Sequence, residues 1–218
     1  MDNITRVMHD YYAHTFQLHG ATAKGVDWRD EDELLVRYDK MLAVLHKDFA
    51  ALPQSPSLLD VGCGWGGLLR RAHSIGLQVN YTGMDVIAAM IEHGCREFPD
   101  ATFLHQDVFE FDKKAAYDFV VGNGIFTQKH DITIPEMEKF TRRMVHKMFE
   151  ICRHGIAFNM MSTRVNFMVE NLFYQNPADL LSWLLAELSP RVRLDHGYSS
   201  LVNGKGKFYD FTVYVYKD

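Results

Sequence analysis

Leu58-Leu59-Asp60-Val61-Gly62-Cys63-Gly64-Trp65-Gly66-Gly67 is the stretch on which the reading of this chain turns. An apolar run with the character of a buried strand ends in an acid. Four glycines follow within six residues, and a helical apolar pattern (Leu68, Leu69, Ala72, Ile75) begins at once. Strand, glycine turn and helix is the arrangement by which an α/β protein brings bare backbone against a ligand at a helix N-terminus. Glycine supplies positive φ there and removes the Cβ that would hold a ligand away. The stretch therefore reads as the floor of a pocket for a nucleotide-like cofactor.

Upstream, residues 1–28 are polar and aromatic, broken at His19-Gly20 and Lys24-Gly25 into helix and loop. Asp27 is placed to cap the next helix, with Asp30, Glu31 and Glu33 near its positive end. That helix carries one apolar stripe, Leu34, Tyr38, Met41, Leu42, Leu45 and Phe49, until Pro53 and Pro56 stop it. Downstream, strands are expected at 57–61, 78–84, 101–105, 117–121, 155–161, 191–195 and 208–216. Helices are expected at 67–76, 87–98, 135–151 and 177–188, the third opening on the capping-box pattern Thr133-Ile134-Pro135-Glu136. This alternation means βαβ units in an α/β, Rossmann-like fold: a seven-stranded, mostly parallel sheet with helices on both faces. The last two strands are joined by a loop holding Gly197, Gly204 and Gly206 and no helix, so they should pair as an antiparallel hairpin. Residues 1–56 read as an N-terminal helical cap of the same domain, and 57–218 as its core.

Composition narrows the partners. The net charge is −5, without a Lys/Arg run, which disfavours nucleic acid because phosphate neutralisation needs a basic face. Cys63, Cys95 and Cys152 are odd in number and share no metal-binding spacing, so no metal site and a reducing, cytoplasmic setting are expected. The chain opens on Met1-Asp2-Asn3-Ile4, without a basic-then-apolar signal pattern, and no apolar run is of membrane-spanning length.

Gly62-x-Gly64-x-x-Gly67 matches the dinucleotide fingerprint literally, with Asp85 near the expected distance downstream. An NAD-dependent oxidoreductase is accordingly one reading. Three features point elsewhere. Asp60 lies two residues before the first glycine, where a carboxylate suits an ammonium group better than a pyrophosphate. Asp107 follows the third strand, placed to accept from an adenine amino group. A long lead also precedes the glycine loop, whereas dinucleotide folds commonly open on that strand.

Leu59-Asp60-Val61-Gly62-Cys63-Gly64-Trp65-Gly66 resembles motif I of the class I S-adenosylmethionine-dependent methyltransferases. Gly83-Met84-Asp85 resembles the acid ending their second strand, and Gln106-Asp107-Val108 the acid after their third. The resemblance covers about residues 57–218 and implies S-adenosyl-L-methionine as cofactor. It puts Asp85, beside Val86, on the ribose hydroxyls, and Gln106, Asp107 and Val108 at the adenine. The backbone of Gly62, Cys63, Gly64 and Trp65 falls under the methionine part, and Asn123 and Gly124 join the cofactor set. Similar enzymes use an N-terminal Trp and Arg, which implies Trp28 near the sulfonium and Arg37 on the cofactor carboxylate. His19-Gly20 with Gly25-Val26-Asp27-Trp28, Gly124-Ile125-Phe126 and Ala157-Phe158-Asn159 are similar to a bacterial subgroup acting on small molecules. The family position after strand four often carries Asn/Asp-Pro-Pro-aromatic in enzymes acting on amide or base nitrogens. Asn123-Gly124-Ile125-Phe126 departs from it, in favour of a small acceptor.

Methyl transfer from a sulfonium is an in-line displacement, so proximity is the main requirement, with nucleophile, methyl and sulfur collinear at about 3 Å. Aromatic faces favour the cation, and Tyr11, Trp28 and Phe126 are candidates. If the acceptor is a hydroxyl or a protonated amine, His130 is the first candidate base. Asn159, Arg164, Tyr174 and His196 are candidates to orient the acceptor, and residues 162–177 read as a substrate-contacting insertion. Against these stand blander roles: Asp85 as a helix cap, His130 as a turn histidine, Trp28 and Tyr11 as staples. The expected activity is methyl transfer to an oxygen or nitrogen of a small molecule. A catalytically silent binding module of the same fold is the rival from another class. An aminopropyl transferase is disfavoured, because Asp131 stands without a second acid after strand four.

Overall fold

A computed structural model of the chain describes residues 1–45, 54–197 and 209–217. The sheet is built from the glycine-loop strand outward. β1 (Ser57–Val61) pairs in parallel with β2 (Asn80–Asp85) on one side and β4 (Tyr117–Gly122) on the other. β3 (Thr102–His105) adds beyond β2, and β5 (Cys152–Ser162) beyond β4, both parallel. Two late strands, β7 (Val192–Asp195) and β8 (Asp210–Tyr216), pair antiparallel with each other, and β8 runs antiparallel to β5. The order is β3-β2-β1-β4-β5-β8-β7, the sheet expected, plus a two-residue β6 (Tyr174–Gln175) beside the end of β5. Gly204 and Gly206 of the hairpin loop lie outside the described residues.

Successive residues of a strand point to opposite faces, and here both faces are covered. Leu59, Val61, Val120, Ile156 and Phe158 enter one core, beneath α5 (Ile134–Ile151) and α6 (Pro177–Glu187). Leu58, Phe119, Val121, Ala157 and Tyr214 enter the other, beneath α2 (Glu31–Leu42), α3 (Gly67–Ser74) and α4 (Ala88–Glu97). α5 starts on the anticipated capping box, Thr133 with Glu136.

Two local expectations are corrected. Asp30, not Asp27, caps α2, accepting from the Glu33 backbone N–H at 2.9 Å. Asp27 instead ends a 3-10 turn over Lys24–Val26 at φ +61, and its carboxylate is taken by the Gln128 amide at 2.6 Å. The apolar stripe buries Leu34, Tyr38, Met41 and Leu42, but the helix tightens into a 3-10 turn over Ala43–Leu45. Phe49 and Pro53 lie outside the described residues. Ahead of α2, α1 (Asn3–His19) buries no residue fully, and lays one face across the carboxyl ends of the strands.

Candidate active site

The glycine bend follows from backbone demands. Gly62, Gly64 and Gly66 sit at φ +69, +54 and +90, a region that side chains rarely adopt. A Cβ on Gly62 would lie 2.5 Å from the Ile125 Cγ2, and one on Gly67 2.2 Å from the Tyr38 hydroxyl. The bend is pinned to β2 by the N–H groups of Gly62 and Cys63, which both donate to the Met84 carbonyl, at 2.8 and 3.2 Å.

A cavity opens above this bend. Asp60, Gly62, Cys63, Gly64, Asp85, Val86, Gln106, Asp107, Val108, Asn123, Gly124 and Trp28 all line it. The sequence singled out each of them, and the fold brings them together by placing the ends of β1, β2, β3 and β4 side by side. The three acids differ in their support. Asp85 accepts from the Gly64 and Ile87 backbone N–H groups, at 2.8 and 3.0 Å. Its contact with Ile87 closes the turn that leads into α4, whose N-cap is Ile87, and its contact with Gly64 ties the same carboxylate to the glycine bend. Asp107 accepts from the Phe109 N–H at 3.0 Å. Among the described residues Asp60 has only the Tyr81 hydroxyl, donating at 2.8 Å. Burial pushes the Asp60 carboxyl up to about 7, with the charge of Asp85 adding to the effect and the Tyr81 hydroxyl opposing it. Burial also raises Asp85, against the pull of its backbone donors.

Other residues are placed differently from the expectation. Arg37 does not line the cavity. Its guanidinium grips Asp210 with two hydrogen bonds, at 2.7 and 3.0 Å, and lies 3.9 Å over the Trp28 ring. Trp65 is buried away from the cavity, with the Arg70 guanidinium 4.4 Å over its ring. Asn159 is fully buried behind the wall; its Oδ1 accepts from the Gly124 N–H at 2.7 Å and its Nδ2 donates to Asp210 at 3.2 Å. His130 lies off the cavity, at φ +48, its ring 4.4 Å from that of Tyr11. Phe126 is core, packed edge-on to Phe158. Arg164, Tyr174 and His196 are also off the cavity lining; His196 bonds to the Ser162 hydroxyl at 2.7 Å.

What sequence reasoning missed comes mainly from α1. Thr5, Met8, His9 and Tyr12 line the cavity from above, and Gln128 joins them from the segment after β4. Their spacing along α1 places them on one helical face, the only signal the sequence carried. The Asn123 Oδ1 is buried with no hydrogen-bond partner among the described residues. Buried polar atoms are normally paired, so a ligand in this cavity has an unmet group to satisfy. Among the described residues no group of three or more His, Cys, Asp or Glu could hold a metal ion. No helix among them is long and apolar enough to cross a membrane.

The chain is similar to known methyltransferases. Residues 58–155 match a family described as Methyltransferase domain. A Mycobacterium tuberculosis protein that carries methyltransferase as a provisional name is 27% identical over 166 residues, covering 74% of this chain and 93% of that protein. A dTDP-4-amino-2,3,4,6-tetradeoxy-D-glucose N,N-dimethyltransferase of Saccharopolyspora spinosa is 28% identical over 58% of this chain and 46% of its own length. Among solved structures, the magnesium protoporphyrin IX methyltransferase of Synechocystis PCC 6803 with bound SAH superposes with a TM-score of 0.69 at 15% identity, covering 99% of this chain and all of that one. The Burkholderia thailandensis 1,6-didemethyltoxoflavin-N1-methyltransferase, bound to S-adenosylhomocysteine, gives 0.64 at 15% identity over 96% of this chain and 89% of that one. At such identities the structural likeness speaks for the fold.

Proposed function

We propose that this chain, which belongs to the class I S-adenosylmethionine-dependent methyltransferases, moves a methyl group from S-adenosylmethionine to an oxygen or nitrogen of a small molecule. One observation carries the reading: a glycine-rich bend and three carboxylates from neighbouring strand ends line a single cavity. The residues present fit the cofactor. Asp85 and Asp107 would take the nucleoside hydroxyls and the adenine edge, and Asp60, which lines the cavity with one donor among the described residues, would take the ammonium group. The unpartnered Asn123 Oδ1 offers a further acceptor on the same wall.

Bound S-adenosylmethionine supplies an activated methyl on a cationic sulfur. The chain's own contribution is to hold that end beside the Trp28 face and the Gly124 backbone, and to close α1 over it against water. For an acceptor that must lose a proton, His9 is the histidine on the cavity wall, and its Nδ1 is 2.9 Å from an Asp10 carboxylate oxygen. That contact orients the ring and leaves Nε2 for the acceptor. The sugar, porphyrin and toxoflavin acted on by the relatives support a small organic acceptor for this chain. Three free cysteines favour a reducing, cytosolic setting, and the acidic balance of the chain disfavours nucleic acid.

The test is a thermal-shift comparison of S-adenosylhomocysteine with NAD. Stabilisation by the first and not the second is expected. Stabilisation by NAD alone would restore the oxidoreductase reading, and silence towards both would leave a binding module.

A further inference from the structure

We propose that Asp210 is a positioning residue for this site: its carboxylate, gripped by Arg37 from the cap and by Asn159 from β5, fixes the Gly124–Trp28 wall of the cavity. The inference rests on the methyl-transfer reading above and adds to it a residue that touches neither cavity nor ligand.

Asp210 is 1% exposed at the start of β8, opposite Met161 of β5. Two chains of contact leave its carboxylate and meet again at the cavity. Along the first, the Asn159 Nδ2 donates to Asp210 at 3.2 Å, and the Asn159 Oδ1 accepts the Gly124 N–H at 2.7 Å. Because the Asn159 amide is satisfied at both ends, its orientation is set, with oxygen towards Gly124. Along the second, the Arg37 Nε and Nη2 donate to the two oxygens of Asp210, and the Arg37 guanidinium lies 3.9 Å over the Trp28 ring. Trp28 then packs on Gly124, which sits at φ +77; a Cβ there would come within 2.9 Å of the Trp28 Cζ2. One carboxylate thus holds the backbone of the wall from behind and its aromatic face from above.

Stability alone gives little reason for such a network. A buried ion pair replaced by apolar side chains of similar volume is often neutral or stabilising, because desolvation offsets the attraction. The pair here, 4% and 1% exposed, instead joins α2 to β8 behind the Gly124–Trp28 wall of the cavity. The end of the cavity it governs can also be named. Asp107, Asp85, Asp60 and Gly124 lie at or just past the carboxyl ends of β3, β2, β1 and β4, which is their order across the sheet. With the nucleoside at Asp85 and Asp107, Gly124 and Trp28 face the opposite end, where the sulfur and the amino-acid tail lie. A loss at Asp210 should therefore be felt by that end and not by the nucleoside.

The experiment compares S-adenosylhomocysteine, which has the sulfur and the tail, with adenosine, which has neither. Calorimetric affinities are measured for the wild type, Asp210→Asn and Arg37→Lys. Asp210→Asn keeps the shape and removes the charge; Arg37→Lys keeps the charge and removes the planar two-armed grip. Both variants should lose S-adenosylhomocysteine affinity by about tenfold or more while adenosine stays within about twofold. Equal losses for the two probes, or no loss, in a variant that melts cooperatively would overturn the proposal. So would failure of both variants to fold, which would assign the pair to the core alone. A wild type that binds neither probe refutes the methyl-transfer reading itself, a result distinct from any of these.

Discussion

Replacing Asp60 by asparagine should change the pH dependence of the empty protein's stability in a calculable way. The carboxyl is buried beside Tyr81, Tyr38, Cys63 and Asp85, and its titration is moved from 3.8 to about 7. A raised acid binds its proton in the folded state while the unfolded chain has already released it. Its stabilising contribution is thus complete below about pH 4 and is lost as pH rises to about 7. Three pH units at about 1.4 kcal/mol each come to about 4 kcal/mol, an upper bound because relaxation and water entry reduce it. The amide introduced by Asp60→Asn cannot ionise, so the variant should gain on the wild type across that window by up to this amount, and the gap should stop growing above about pH 8. Asp85 is raised as well and is present in both proteins; its own burial cancels in the difference, while its repulsion of Asp60 is part of the penalty that the variant removes.

Urea unfolding of both proteins at half-unit steps from about pH 4.5 to about pH 8.5, without cofactor, measures the gap directly, given about 10–15% uncertainty in each extrapolated value. Parallel stability curves would refute the reasoning, since they would mean that Asp60 titrates normally in the folded protein. The same substitution removes the partner proposed for the cofactor's ammonium group. A variant more stable than the wild type near pH 8 should therefore bind S-adenosylhomocysteine more weakly, and this opposition of stability and affinity is hard to produce by misfolding.

Three further outcomes are expected. Asp85→Ala should stay folded but weaken S-adenosylhomocysteine binding by about 2 kcal/mol, because the ligand loses a charged acceptor; calorimetric titration with unchanged affinity would remove Asp85 from the site. Gly62→Ala should destabilise by about 1–3 kcal/mol in thermal or urea unfolding, since φ +69 and a methyl 2.5 Å from Ile125 both oppose it. His130→Ala should leave S-adenosylhomocysteine affinity within about twofold, because its ring lies off the cavity against Tyr11. A large loss would put His130 back in the site.

The legible parts of this protein are those whose causes are local. The glycines at 62, 64 and 66 announce a bend because positive φ is a property of single residues. The acids at 60, 85 and 107 were legible because the carboxyl ends of parallel strands lie along one edge of the sheet, and each acid falls within two residues of such an end. The cap was legible only as helix. Arg37 is the right kind of residue on the right element, yet its partner is Asp210, 173 positions away, and no spacing rule reaches that far. Asn159 likewise behaves as a bracket for Gly124, where its place near the end of β5 suggested contact with an acceptor. α1 withheld the most. Its residues at 5, 8, 9 and 12 form a face that is neither apolar enough to read as core nor charged enough to read as surface, which is how the lining of a ligand cavity looks from the sequence.

The row of acids also explains why Asp60 is the one singled out by its environment. Burial raises both Asp60 and Asp85, the charge of Asp85 adds to the rise at Asp60, and backbone donors oppose the rise at Asp85. Asp85 accepts from two backbone N–H groups, while Asp60, among the described residues, accepts from a single phenol in full burial. The proton therefore settles on Asp60 when the cavity holds no cation, and a cation entering the cavity displaces it. Binding of a ligand with an ammonium group should release protons near pH 7, and adenosine, which lacks that group, should release none. Titrations in two buffers of different ionisation enthalpy separate the two cases.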